Sequence, residues 1–161
     1  MAPTPVGRLV RTDRGRDLVL VRHLPVPVDE AWAALTRPEV AGRWFATWTD
    51  EARPGATIRA TLTGEDDAEV DMTVNACEPP RHLAVSSVDE HGSWHLDVTL
   101  ADESSGTHLT FVHHLDDDAA VGEIGPGWEY YLDSLAAVLL DTPGPDFADY
   151  FPAQKPYYEG L

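Results

Sequence analysis

Apolar and polar positions change period three times along this chain. Val6–Arg11 and Arg16–His23 alternate as two strands, joined by Thr12-Asp13-Arg14-Gly15, where glycine supplies the positive φ of a tight hairpin. The period then lengthens. Val28–Thr36 (VDEAWAALT) predicts a helix whose first turn carries acids that suit the helix dipole. Thr36-Arg37-Pro38-Glu39 reads as a capping box, with Thr36 as cap and Pro38 in the first turn of a second short helix from about Pro38 to Trp44.

Period two follows. Thr57–Thr63 places Ile58, Ala60 and Leu62 on one face, and Glu69–Cys77 places Val70, Met72, Val74 and Ala76 together. His82–Val88, Ser93–Leu100 and Thr107–His114 continue the alternation. In the last two, Trp94, Leu96, Val98 and Leu100 share a face, as do Leu109, Phe111 and His113. The connections are turn-like: Gly64-Glu65-Asp66-Asp67, Glu78-Pro79-Pro80-Arg81, Asp89-Glu90-His91-Gly92 and Asp102 to Gly106. Consecutive strands with short loops pair antiparallel, one face buried and the other wet.

The third period is helical again. Pro126 suits a first turn, and Trp128, Tyr131, Leu132, Leu135, Val138 and Leu139 then recur at helical spacing, which puts Glu129 and Asp133 outward. Asp141-Thr142-Pro143-Gly144-Pro145 stops this helix. The tail that follows, DFADYFPAQKPYYEGL, holds five aromatics and is expected to lie extended across the domain or a partner.

Composition narrows the function classes. With 161 residues, 43% of them hydrophobic, one domain spanning 1–161 is expected, with its core at about 6–141 and the tail at 142–161. A formal net charge of −17 disfavours nucleic acid and anionic membrane surfaces as partners. The charge is uneven: residues 1–59 hold nine Arg against seven acids, a net +2, and the rest of the chain a net −19. The expectation is a moderately basic end, an acidic sheet exterior and a core nearly free of charge. The single cysteine, Cys77, excludes an internal disulfide and fits a cytoplasmic protein, as does the lack of a signal-peptide pattern.

The order of elements and three local segments carry a resemblance. The segments are LPVPVDEAWAALTRPEVAGRWF (24–45), FVHHL (111–115) and GPGWEYYLDSLAAVL (125–139). With them, residues 16–141 resemble the START-like (SRPBCC) superfamily, in the group related to the C-terminal domain of the Hsp90 ATPase activator. The resemblance implies an α+β helix-grip fold. In it, a curved antiparallel sheet wraps around a long C-terminal helix, two short helices follow the first strands, and a cavity lies between sheet and helix. It also implies an apolar ligand of lipid or polyketide type, or an Hsp90-type chaperone as partner. The eukaryotic activator also uses a separate N-terminal domain, whereas a single domain is expected in this chain.

The candidate ligand-binding residues are Trp48, Met72, Val74, Trp94, Leu96, Phe111, His113, Trp128, Tyr131 and Leu135. Indoles suit a flat apolar ligand and can offer it N–H donors. The competing reading is that Trp32, Trp44 and Trp128 simply pack the core. His113 and His114 are adjacent on a strand and point to opposite faces, so they cannot chelate one metal. His113 alone would face inward, as a hydrogen-bonding partner, as a weak candidate for a general base, or as a histidine satisfied by its surroundings. His91 and His95 have helical metal spacing but sit in a loop and a strand, where that spacing loses its meaning. Asp116–Asp118 reads as a cap for a short turn. Cys77 reads as packing, and no metal site or cofactor is implied.

Three functions remain. The leading one is non-catalytic binding of a small apolar molecule in a cavity of at least roughly 300 Å³. The alternatives are a chaperone-interacting module and a cyclase- or hydrolase-like enzyme. An exposed sheet edge and the aromatic tail also raise the expectation of a homodimer.

Overall fold

The computed structural model describes residues 3–63, 68–89 and 92–161. The 64–67 turn, residues 90 and 91, and with them the His91 half of the His91/His95 pair, lie outside the described residues. The strands are β1 (Arg8–Thr12), β2 (Gly15–Leu24), β3 (Ala46–Trp48), β4 (Thr57–Leu62), β5 (Glu69–Glu78), β6 (His82–Asp89), β7 (Gly92–Glu103) and β8 (Gly106–Leu115). They form one curved antiparallel sheet in the order β1-β2-β8-β7-β6-β5-β4-β3. Helices α1 (Val28–Thr36), α2 (Pro38–Ala41), α3 (Val121–Leu140) and α4 (Lys155–Glu159) complete the α+β helix-grip fold.

Alternation explains the strands. Leu18, Leu20 and Leu24 of β2, Leu96 and Leu100 of β7, and Leu109 and Phe111 of β8 are buried against Trp128, Leu132 and Leu135 of α3. A smaller cluster gathers Ala46, Ile58, Ala60, Leu62 and Met72 at the β3–β5 end. Gly15 closes the first hairpin at φ 146°, where a Cβ would run into the Leu115 carbonyl. Strand β3 escapes a period-two reading because three residues are too few to show a period.

Five local expectations are corrected. No capping box forms: the Thr36 hydroxyl donates to the Trp32 carbonyl at 2.8 Å, and α2 ends at Ala41 rather than Trp44. A bulge between Val74 and Ala76 shifts the register of β5 against β6. Past it the faces exchange, so Cys77 rather than Ala76 turns inward. Helix α3 begins at Val121, with Pro126 inside it. Pro126 removes one helical bond, but burial of Val121, Gly122 and Gly125 holds the extra turn. No Asp116–Asp118 side chain caps that helix, whose N-cap is Ala120.

The tail is not extended. It forms a 3-10 turn at Phe147–Asp149 and then α4, which packs on α3. Tyr150 and Tyr158 are almost fully buried. The close approach needs glycine: a Cβ on Gly125 would overlap the Tyr158 ring, and one on Gly122 the side chain of Glu159.

Candidate functional site

Between the concave sheet face and α1–α3 lies a cavity of about 140 Å³. Six of the ten candidate residues line it: Trp48, Met72, Val74, Leu96, Phe111 and Trp128. Phe45, Ile58, Val85 and Leu132 join them. Phe45 follows a helix end where no period is legible, whereas Val85 shares its strand's inward parity. Thr36, Cys77 and the indole N–H groups of Trp44, Trp48 and Trp128 are the polar side-chain groups of these lining residues. The Thr36 hydroxyl is engaged by Trp32, and burial raises the pKa of the Cys77 thiol. No carboxylate, imidazole or amine is among the described lining residues.

The indole N–H groups expected to serve a ligand are partly engaged within the protein. Trp44 Nε1 donates to the Ala34 carbonyl at 2.8 Å, and Trp128 Nε1 to His113 Nδ1 at 3.1 Å. The Trp128 ring also packs, tilted by 41°, with its centroid 4.4 Å from that of Phe111. The volume falls short of the roughly 300 Å³ expected and of the range usual for drug-sized ligands.

The other four candidates lie elsewhere. Leu135 is packed in the main core and is not among the described lining residues. His113 is buried behind Trp128 and does not reach the void. Burial, with the nearby His114 and His95, lowers its pKa to about 4. Trp94 and Tyr131 border a second concavity of about 440 Å³, on the far side of Trp128, together with Glu123, Gly127, Tyr130 and Phe147.

The opposite side of α3 holds what sequence reasoning missed. Glu129, expected to face outward, is 1% exposed. Its carboxylate accepts from Arg22 Nη2 at 2.6 Å, the Tyr158 hydroxyl at 2.6 Å, and the Val6 and Gly7 amides at 2.7 and 3.2 Å. Arg22 Nε also donates to Asp133 at 3.0 Å, and Asp133 accepts from the Tyr150 hydroxyl at 2.7 Å. Burial and then the hydrogen bond to Glu129 push the Tyr158 pKa well up. The core is therefore not charge-free. The available signal was the run Gly122, Gly125, Glu129: small residues on one side of a helix indicate a close neighbour, and a carboxylate in line with them is the group that neighbour must satisfy.

Among the described residues, three of the nine arginines of the first segment pair with acids of the second. Arg11 meets Asp117, Arg22 meets Glu129 and Asp133, and Arg59 meets Glu69 and Asp71. On the outer sheet face, His82 and His114 both bond Asp97, at 2.6 and 2.8 Å, and His114 also bonds Asp17 at 2.8 Å. Among the described residues no group of three or more His, Cys, Asp or Glu could hold a metal ion. No described helix is long and apolar enough to cross a membrane.

Comparison with solved structures finds the same architecture repeatedly. CalU16 from Micromonospora echinospora is 26% identical, with a TM-score of 0.79 over 98% of this chain and 96% of its own. A Bordetella parapertussis protein encoded by gene BPP1335 is 24% identical, with a TM-score of 0.75 over 99% and 94%. DynU16, a protein of the dynemicin biosynthetic locus, is 24% identical, with a TM-score of 0.70 over 84% of this chain and 50% of its own. At 24% identity the last two bear on the fold alone. No curated protein matches. Residues 25–140, from the end of β2 to the end of α3, match the family model "Activator of Hsp90 ATPase homolog 1-like protein". The segment that builds the cavity is thus the segment that the family model describes, and the chain belongs to the activator of Hsp90 ATPase homolog 1-like family.

Proposed function

We propose that this protein binds a small apolar molecule, without catalysis, in the cavity between the sheet and α3. One observation carries the reading: a void of about 140 Å³ lined by apolar side chains, with no carboxylate, imidazole or amine among its described lining. An apolar space of that size takes up a single ring or a short chain. Acid–base turnover would need two convergent titratable groups, and His113 is held behind Trp128 instead. A longer lipid or polyketide-like ligand enters only if a lining side chain moves, and Trp128 is the partition between the cavity and the larger concavity outside.

The test is binding of a solvatochromic dye, short-chain fatty acids and small arenes, with native mass spectrometry of the purified protein. Val85→Phe projects a ring into the void at a cost of roughly 1–3 kcal/mol from overpacking. The expected result is at least tenfold weaker binding with a cooperative melt retained. Failure of every probe to bind the unmodified protein would sink the reading.

Family membership supports a second reading, a chaperone-interacting module. An ATPase assay with an Hsp90-type chaperone decides it, and an unchanged rate removes it.

A further inference from the structure

The concavity beyond Trp128 differs in chemistry from the cavity. Five aromatic rings run along it in contact: Trp94 to Trp128 at 6.0 Å, Trp128 to Tyr131 at 5.6 Å, Tyr131 to Tyr130 at 5.5 Å, and Tyr130 to Phe147 at 5.3 Å. Trp94 and Phe147 are 38% and 45% exposed, unusually wet for rings of their size. Gly127 lies beside them, and a Cβ built there meets nothing within 4 Å. One turn away is Glu123, exposed, the one carboxylate among the described lining residues. Glu123, Gly127 and the Tyr130–Tyr131 pair lie four and seven to eight residues apart, so one helix face presents a carboxylate, a gap and two rings.

We propose that this groove is a second binding site, for an organic cation: a methylated or otherwise substituted ammonium on a small apolar body. Aromatic faces carry negative charge density, and a weakly hydrated ammonium gains from them without the desolvation that a bare ion would suffer. Glu123 supplies the countercharge. The net charge of −17 favours approach of a cation. A neutral apolar ligand, by contrast, has a drier site in the cavity. The proposal does not depend on the cavity being occupied.

The experiment titrates the full chain with choline and with 3,3-dimethyl-1-butanol, its neutral isostere, at fixed physiological ionic strength, followed by amide and indole NMR shifts. Choline is expected to move the Trp94 indole and the Gly127 amide, and the isostere to bind roughly tenfold more weakly, the size of a cation–π contribution. Trp94→Ala should weaken choline roughly tenfold and Glu123→Gln several-fold. Gly127→Leu extends a side chain into the gap from a position where a Cβ meets nothing within 4 Å, and it favours the helix, so it should block choline while the fold and dye binding in the cavity persist. Equal affinity for choline and isostere overturns the proposal. So does choline binding that survives Trp94→Ala and Gly127→Leu, which would mark general attraction to an acidic surface, or the absence of any shift at Trp94 and Gly127.

Discussion

The two sides of α3 solve opposite problems. Toward the sheet, Trp128 and Leu132 leave a void of about 140 Å³ without a charged group in its described lining. Toward the tail, Glu129 is as deeply buried as Leu132, yet its carboxylate accepts four hydrogen bonds, from β2, α4 and the segment before β1. Buried charge is tolerable only when fully paired, so the polar side fixes the helix in place. Apolar packing is non-directional and can be left incomplete, so the other side can keep a cavity. One helix thus anchors with one face and leaves room with the other.

The comparison breaks most severely at Glu129. Glu129→Ala takes the acceptor from Arg22 Nη2, the Tyr158 hydroxyl and two backbone amides, leaving Arg22 only its Asp133 contact, and loss of one partner of a buried pair costs roughly 3–5 kcal/mol. Denaturant unfolding should register that loss, with the N-terminal segment and α4 becoming proteolytically accessible. A loss below 1 kcal/mol would mean that the clasp does not hold the helix.

Acid reaches the other face through His113. Its pKa falls from the usual 6.5 to about 4 on folding, mainly through burial. Between those values the unfolded chain binds a proton that the folded chain refuses, so stability rises with pH there and this contribution is complete above 6.5. Full displacement is worth roughly 3 kcal/mol. Its neighbour His114 behaves oppositely: burial works against its charge, but Asp97 and Asp17 raise its pKa. His82, bonded to Asp97 and Glu78, is raised too. The folded chain holds these protons more tightly, so their contribution is present below the unfolded pKa and is lost as pH climbs through the folded one. Urea titrations across pH 4–8 should flatten on the acid side in His113→Phe and on the alkaline side in His114→Asn. Identical profiles for both variants would contradict the inward–outward assignment.

Tyr158→Phe is the mildest cut. It removes one hydrogen bond to a charged group and keeps the ring that fills the space above Gly125, a loss of roughly 1.5–3 kcal/mol. Thermal melts of this variant and Glu129→Ala, with their double variant, would show less than additive effects if both act through one clasp.

Much of this was legible without coordinates. The hairpin turn at Gly15, α1 at Val28–Thr36 and the paired inner faces of β7 and β8 follow from period and turn chemistry, because burial on one face imprints directly on sequence. The cavity residues on regular strands, such as Met72 and Phe111, were readable for the same reason. The bulge in β5 was not, since one inserted residue leaves both parities equally hydrophobic here: Ala76 and Cys77 look alike to the pattern. Trp94 and Tyr131 had the parity for an inward position, but where an inner face passes beyond the end of the cavity is a matter of sheet curvature and helix placement.

The sequence by itself determined the type and order of most elements and the face that the regular strands bury, because these are periodic properties of neighbouring residues, and the fold class followed from the resemblance those segments carry. Tertiary structure alone decided the rest. It set how much space remained between sheet and helix, which of two adjacent histidines lost its proton affinity, and that Glu129 points to Arg22 and Tyr158 rather than to water. The last of these depends on groups 29 and 107 positions away from Glu129 along the chain, and separations of that length leave no period to read.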